Sequence, residues 1–166
     1  MVVNMTKKKI VKNTLIENLE LTLENTRVYP WEWADNSVDN VSIIRLLEFI
    51  PGKERGKFMD ELHRILAPEG TAMIKVPYWS SAGGVQDYLY EWPPWNDNSF
   101  MYFNKEIRKN LGCDDRGLVC DFDFTGGYEL EAGIAQRSED ARNFAAKHYT
   151  NSILAVQLTL TKKKLK

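Results

Sequence analysis

The sequence predicts an α/β protein with a mostly parallel sheet, helices packed on that sheet, and an antiparallel pair of strands at its C-terminal edge. Two observations carry this prediction. A strand–helix–strand unit lies between residues 29 and 77, and two alternating segments lie near the C terminus. The first unit requires parallel strands with a right-handed crossover, because a helix joins them. The two alternating segments are expected to form strands that pair antiparallel at the edge of this sheet, as late strands of mostly parallel sheets commonly do.

The strand–helix–strand unit has clear internal boundaries. Its first strand is expected over residues 38–44, where apolar, β-branched residues are typical of a strand buried on both faces. Pro51-Gly52 opens the helix, and Pro68-Glu69-Gly70 ends it before a second strand over residues 71–76. The helix has one core-facing stripe, formed by Phe58, Met59, Leu62, Ile65 and Leu66.

The remaining elements are shorter. Leucines alternate within residues 15–23, which predicts a strand with one buried face. Asn104 is expected to cap a short helix through Leu111, with Gly112 just past its end. The alternating segments 119–124 and 152–161 are the two late strands.

Length and composition predict one soluble globular domain. The chain has 166 residues, 43% of them hydrophobic, and a formal net charge of −1, which argues against a broad basic surface for nucleic acid. We expect a basic arm over residues 1–14, one domain over 15–161 and a basic tail over 162–166. Two cysteines make no disulfide framework, and no apolar run is long enough to span a membrane, so we expect a cytoplasmic protein.

An aromatic segment, residues 78–103, is the strongest candidate for a binding surface. Gly83-Gly84 and Pro93-Pro94 interrupt it, so it cannot be one regular helix. Tryptophan and tyrosine clusters of this density mark interfaces or ligand walls, although local core is an equally good interpretation. The candidate residues are Tyr78, Trp79, Asp87, Tyr90, Trp92 and Trp95.

Other titratable groups have simpler interpretations. His63 is expected on the exposed side of its helix, and neither it nor His148 has the spacing of a metal site. Asp121 and Asp123 point to one face of a strand, most simply towards solvent. The basic cluster at the start of the long helix is expected to be solvated; it comprises Lys53, Arg55 and Lys57. We predict no catalytic residue and no metal site.

Five motifs in order give the chain a resemblance to class I S-adenosylmethionine-dependent methyltransferases, over roughly residues 19–161. The family has a proline–aromatic turn, an aspartate–asparagine–serine turn, a strand followed by L-E-H-I, a helix with E-L-x-R, and a strand closing in proline. The matching residues here are Pro30-Trp31, Asp35-Asn36-Ser37-Val38-Asp39, Leu47-Glu48-Phe49-Ile50, Glu61-Leu62-His63-Arg64 and Val76-Pro77.

The resemblance implies a truncated Rossmann-like sheet. The family binds its cofactor through a glycine-rich turn after the first strand and an acidic residue after the second, and nothing before Leu15 supplies either. The chain would then correspond to family strands three to seven. Either the strand of residues 19–23 lies beside that of residues 41–44, or an edge is left for another chain to cover.

The chain also departs from the family at positions that matter for chemistry. Bulky or non-titratable groups stand where the family has functional or small residues, which implies loss of general acid/base capacity. These are Thr22, Arg45, Phe49, Glu69 and Tyr90. The resemblance gives Glu48 a structural role, bracing the strand–helix junction through hydrogen bonds.

Together these features predict a methyltransferase-like protein without its own S-adenosylmethionine site, so no cofactor is expected. We expect a non-catalytic binding or regulatory protein that has a protein partner, or self-associates, through the aromatic segment and the strand edge. The alternative is an active S-adenosylmethionine-dependent methyltransferase in which another chain completes the cofactor half-site. A third interpretation is a remnant with no selected role.

Overall fold

The computed structural model describes residues 15–113 and 117–164, which contain one five-stranded sheet. The strand order is β1-β2-β3-β5-β4. Strands β1, β2 and β3 are parallel, and β5 is antiparallel to both of its neighbours. The strands are β1 (Ile16–Glu20), β2 (Val38–Ile44), β3 (Leu66–Pro77), β4 (Phe122–Leu130) and β5 (Ile153–Lys162). The predicted fold class is therefore confirmed.

The helices connect these strands, and most of them are short. Short 3₁₀ helices lie at Leu47–Phe49 and Gly52–Glu54, and a longer one lies at Asp97–Phe103. The α-helices are α1 (Leu23–Thr26), α2 (Arg55–Ile65), α3 (Ala82–Val85), α4 (Lys105–Asn110), α5 (Ala132–Ala135) and α6 (Glu139–His148). Asn104 caps α4 as predicted, because its Oδ1 accepts a hydrogen bond from the Ile107 amide at 3.0 Å.

Helix α2 buries one face of the sheet, as its apolar stripe predicts. Phe58, Met59, Leu62 and Ile65 are fully buried in a single cluster with alternate residues of the strands. These strand residues are Val41 and Ile43 on β2, Ala72, Ile74 and Val76 on β3, and Val156, Leu158 and Leu160 on β5. Burial of these side chains, each worth about 1.5–3 kcal/mol, is the main force holding the crossover on the sheet.

The other face of the sheet is polar and accessible, so the prediction that β2 is buried on both faces is wrong. Ile44 is 48% exposed, and polar side chains predominate along the centre of this face. The Thr71 hydroxyl donates to Asn40 Oδ1 at 2.8 Å, and Lys75 pairs with Glu129 at 2.7 Å. This face carries Asn40, Ser42, Ile44, Thr71, Met73, Lys75, Gln157 and Thr159.

Strand β1 lies directly beside β2, which is the first of the two arrangements that the resemblance allows. Leu19 is in register with Val41. The strand ends earlier than its leucine alternation suggests, because Thr22 caps α1 and Leu23 begins that helix. The two late strands also differ slightly from the prediction, since β4 starts at Phe122 and continues to Leu130.

A partly buried ionic network fixes the chain where it enters β2. Arg64 donates to both carboxylate oxygens of Glu61, at 2.9 and 2.8 Å, and to the carbonyls of Trp31 and Trp33. Glu61 in turn accepts from the Trp31 amide at 2.8 Å. Burial alone would raise the pKa of Glu61, but the donors Arg64 and Trp31 hold it below its ordinary value. The network joins the proline–aromatic turn to α2.

Replacing Glu61 with glutamine should lower the free energy of unfolding by about 1–2 kcal/mol at neutral pH. A carboxylate whose pKa is lowered on folding stabilises the protein above its unfolded pKa, and this contribution is lost as pH falls through the folded pKa. The difference from wild type should therefore shrink below about pH 4.5. Urea unfolding at several pH values measures this, with the exposed Glu32→Gln variant as control. An equal loss at all pH values would contradict the proposed role.

Lys162 belongs to the sheet, although the sequence places it in the basic tail. It is the last residue of β5 and only 7% exposed. Its ammonium group donates to Asn36 Oδ1 at 2.7 Å and to the Leu66 carbonyl at 2.8 Å. Asn36 has a positive φ of 55°, so this contact also holds the turn before β2.

Replacing Lys162 with methionine should cost about 2–3 kcal/mol, because two hydrogen-bonded acceptors lose a charged donor. Lys164→Met is the matched control. Lys164 pairs with Glu69 at 2.9 Å, but both side chains are about two-thirds exposed, so its loss should cost under about 1 kcal/mol. Chemical denaturation of the two variants makes the comparison, and equal losses would refute the assignment.

Candidate binding site beneath the aromatic segment

A cavity of about 220 Å³ lies beyond the carboxyl ends of β2 and β3. Glu48, four residues after β2, and Pro77, the last residue of β3, line it from the sheet side. The aromatic segment lines the other side, through Tyr90 and Trp92 among others. Ligands of open α/β sheets bind at the carboxyl ends of the strands, which makes this cavity the candidate binding site.

Four of the six predicted site residues meet at this cavity. Asp87, Tyr90, Trp92 and Trp95 all line it. Tyr78 and Trp79 do not. The Tyr78 ring instead packs against Tyr128, with 5.7 Å between ring centroids.

The aromatic segment consists of a buried part and an exposed part. Trp95 is 2% exposed, stacks on Phe100 at 4.9 Å, and donates its indole N–H to the Leu47 carbonyl at 3.0 Å. Trp92 is 79% exposed and Tyr88 is 91% exposed. Both interpretations of the segment thus have a physical basis, with Trp95 as core and Trp92 and Tyr88 as an apolar surface.

Arg55 anchors the segment, and the expectation that it is solvated is wrong. It is 8% exposed, and its guanidinium donates to the backbone carbonyls of Ile50, Glu91 and Pro93. The guanidinium also lies 4.4 Å from the centre of the Trp95 ring. Burial lowers the pKa of Arg55 to about 10, which leaves it charged at neutral pH. One side chain of α2 therefore holds two turns of the segment against the sheet.

Two of the departures from the family contact the same residue of the segment. Arg45, directly after β2, donates to the Tyr90 hydroxyl at 2.7 Å. The Phe49 ring meets the Tyr90 ring edge-on, with 5.1 Å between centroids. The Glu91 amide beside it donates to the Glu48 carbonyl at 2.8 Å. All three contacts fasten the segment over the end of β2.

Glu48 is buried without a hydrogen-bond partner for its carboxylate, which overturns the expectation that it braces the junction through hydrogen bonds. The residue is 4% exposed, and within the described ranges neither Oε1 nor Oε2 has a partner. The nearest cation is Arg45, whose Nε lies 3.9 Å from Oε1 and whose side chain is mostly exposed. Burial raises the pKa of Glu48, against the smaller opposing effects of its own backbone N–H and of Arg45.

The other departures have structural roles. The Thr22 hydroxyl accepts a hydrogen bond from the Asn25 amide and caps α1. Glu69 has a left-handed φ of 66°, a conformation that favours glycine. The next residue must be small, because a Cβ on Gly70 would lie 2.8 Å from the Ala67 carbonyl oxygen.

The histidines lie away from the cavity. His63 is half-buried, not exposed as expected. Its ring packs edge-on against Phe122 at 5.2 Å, and burial and the charge of Lys162 lower its pKa. His148 is exposed at the end of α6. Within residues 15–113 and 117–164, no three His, Cys, Asp or Glu side chains come close enough to hold a metal ion.

The two aspartates share one lysine of the same chain. Lys163 lies 3.6 Å from Asp121 and 3.2 Å from Asp123, so one lysine pairs with both. Asp121 also accepts a hydrogen bond from the Lys105 amide at the start of α4.

Two charged residues that line the cavity, Glu48 and Glu91, were not among the candidates. The signal for Glu48 was available in the sequence, because a single carboxylate stands among Leu46, Leu47, Phe49 and Ile50. A charge within such an apolar run is buried when the run is buried. Glu91 gives no comparable signal, since the fold of an irregular segment decides which side it faces.

The fold is that of a methyltransferase-like protein. The model of a family described as a methyltransferase domain matches residues 2–74. The structure of an S-adenosylmethionine-dependent methyltransferase from Archaeoglobus fulgidus superimposes with a TM-score of 0.52 at 14% identity, covering 78% of this chain and 62% of that one. No curated protein sequence matches.

Two further structures are similar, with lower scores. A phosphoethanolamine N-methyltransferase from Haemonchus contortus, solved with S-adenosylmethionine, has a TM-score of 0.44 at 16% identity, over 81% of this chain and 35% of that one. A methyltransferase from Methanosarcina mazei has a TM-score of 0.44 at 13% identity, over 80% and 63%. The chain thus spans about three fifths, or less, of these proteins.

These comparisons confirm the resemblance to class I methyltransferases that the five motifs carry. The family model covers the part of the chain that holds the first four motifs, and the structural likeness establishes the shared fold. Among the described helices, none is long and apolar enough to cross a membrane.

Replacing Glu48 with glutamine should raise the free energy of unfolding at neutral pH by about 1 kcal/mol, because it removes a buried charge without a hydrogen bond. A carboxyl group whose pKa is raised on folding costs stability above its folded pKa and costs none below its unfolded pKa. The gain should therefore vanish below about pH 4.5. Urea unfolding against pH tests this, with Glu32→Gln as an exposed control. A stability loss at neutral pH would contradict it.

Proposed function

We propose that this methyltransferase-like protein binds a ligand or partner at the aromatic segment and does not catalyse methyl transfer as a lone chain. The observation that carries the proposal is the convergence of Arg45 and Phe49 on Tyr90. These residues stand where the family has small or titratable groups, and here they fasten the segment in place. A surface fixed in this way is preorganised for binding.

The chemistry at the cavity supports binding more than catalysis. The described residues that line it include carboxylates and aromatic rings but no histidine or lysine, so a carboxylate that could pair with a cation is its main charged feature. Elsewhere, burial raises the pKa of Tyr29, Tyr128 and Cys120, which disfavours their deprotonated, reactive forms.

The exposed half of the segment supports a protein partner or a second copy of the chain. Trp79, Tyr88, Leu89 and Trp92 are each at least half exposed, and they lie close together in the sequence. Exposed apolar patches rimmed by polar residues mark interaction sites. We propose a cytoplasmic location, which both free thiols, Cys113 and Cys120, support.

A second candidate is an active methyltransferase whose cofactor site another chain completes. Strand β1 favours it, because within the described residues it pairs only with β2 and leaves its outer edge free. A partner that adds strands at this edge could place S-adenosylmethionine beside the cavity.

Calorimetric titration with S-adenosylmethionine and S-adenosylhomocysteine, on a sample whose mass in solution is known, distinguishes the two candidates. We expect no heat of binding to the lone chain and no thermal shift. A bound ligand at 100 times its dissociation constant would add about 2.7 kcal/mol of stability, so the shift would be easy to see.

Tight one-to-one binding of either compound by the lone chain would refute the proposal. Binding that appears only after a partner chain is added would support the second candidate instead. For self-association, the matched variants are Trp92→Ser on the exposed patch and Tyr149→Ser on another exposed surface. Only the first should lower the mass in solution.

A further inference from the structure

The starting point is the uncompensated carboxylate of Glu48. It is almost completely inaccessible to solvent, it lines the cavity, and within the described chain no other residue donates a hydrogen bond to it. A buried carboxylate in this state is costly, and proteins keep such groups paired or hydrogen-bonded. Arg45 relieves the cost only in part, because its guanidinium is directed to the Tyr90 hydroxyl and lies 3.9 Å from Glu48.

The charges around the cavity have one sign. Glu48, Asp87 and Glu91 all line it, and no arginine, lysine or histidine is among the described residues that do so. Arg55 is close in the fold, but its donors are taken by three backbone carbonyls. An anionic ligand would meet repulsion here, whereas a cation would be attracted.

The remaining walls suit an organic cation. Tyr90 and Trp92 line the same cavity, and aromatic faces attract ammonium groups by about 0.5–2 kcal/mol. Calcium and magnesium ions need about six or more oxygen ligands, and the described residues bring no group of three carboxylates together for one. The cavity is also smaller than the 300–1,000 Å³ or so of drug-sized ligand sites, which restricts the ligand's size.

We propose that this cavity binds a small primary ammonium group, which donates hydrogen bonds to the Glu48 carboxylate while the aromatic rings enclose its apolar part. The inference rests on the proposed binding function and specifies its ligand class. The group can belong to a free amine or to a lysine side chain of a partner, since both present the same chemistry. Asp87 and Glu91 add to the negative potential at the same cavity.

The test uses a matched ligand pair on the full chain. Titration with 2-phenylethylamine and 2-phenylethanol, followed by NMR, compares two molecules that differ mainly in the charged donor. The indole N–H signals of Trp92 and Trp95 should shift, while that of Trp31, which packs on Phe58 away from the cavity, should not. We expect the amine to bind at least tenfold more tightly than the alcohol.

Two protein variants complete the design. Glu48→Gln keeps the shape of the side chain and should remove the preference for the amine, whereas Glu32→Gln should leave it unchanged. The affinity for the amine should fall as the pH is lowered. This fall should begin above the ordinary pKa range of a glutamate, because burial raises the pKa of Glu48. Nα-acetyl-lysine methylamide, compared with butylamine, shows whether the ammonium group comes from a lysine or a free amine.

Equal or weaker binding of the amine, an unchanged preference in Glu48→Gln, or no binding of any probe would overturn the inference. These results are separable from failure of the proposed function, which is tested by S-adenosylmethionine binding to the lone chain. Binding of the alcohol alone would leave a binding function in place and refute only the ligand class.

Discussion

The guanidinium of Arg64 joins helix α2 to the turn before β2, which lies about thirty residues earlier in the sequence. It holds Glu61 on its own helix, the carbonyls of Trp31 and Trp33 in the turn before β2, and Asp35 at 2.7 Å. The turn decides where β2 enters the sheet, and β2 decides where Glu48 lies. The placement of the cavity therefore depends on this network, although the network itself takes no part in binding. Most motifs that carry the resemblance are scaffold of this kind.

The sheet packs against a hydrophobic core on one face only, so apolar residues in its strands do not imply burial on both faces. Parallel sheets are normally covered on both faces. Here Asn40, Thr71 and Lys75 make the second face polar, with hydrogen bonds and an ion pair across the strands. The sequence has therefore adapted this face to water, at least along the described strands. An apolar residue such as Ile44 on that face is the exception.

The sequence was sufficient for the fold class, the order of elements and the helix stripe, because periodicity and turn chemistry are local signals. It failed where long-range contacts decide. The sequence suggests that Arg55 and Lys162 are solvated cations. In the structure each is buried and donates a hydrogen bond to a backbone carbonyl of a distant segment. The helix pattern predicts an exposed His63, but the residue is half-buried against Phe122. The helix is covered on more of its surface than its apolar stripe suggests. For the site, the aromatic segment was identified as a candidate, but the position of Glu48 within its cavity required the tertiary structure.

The balance of charges explains why the cavity and the fastened segment belong together. Arg45 donates to the Tyr90 hydroxyl of the segment, and Arg55 donates to the Glu91 and Pro93 carbonyls of the segment and to the Ile50 carbonyl. Arg45 comes no closer to the Glu48 carboxylate than 3.9 Å, and the Arg55 hydrogen bonds go to backbone carbonyls, so neither arginine donates a hydrogen bond to Glu48. The same contacts that close the segment over β2 therefore leave one carboxylate without a donor. A ligand that brings its own positive charge completes the arrangement without disturbing the scaffold, whereas a mobile lid would have to break those contacts at each opening.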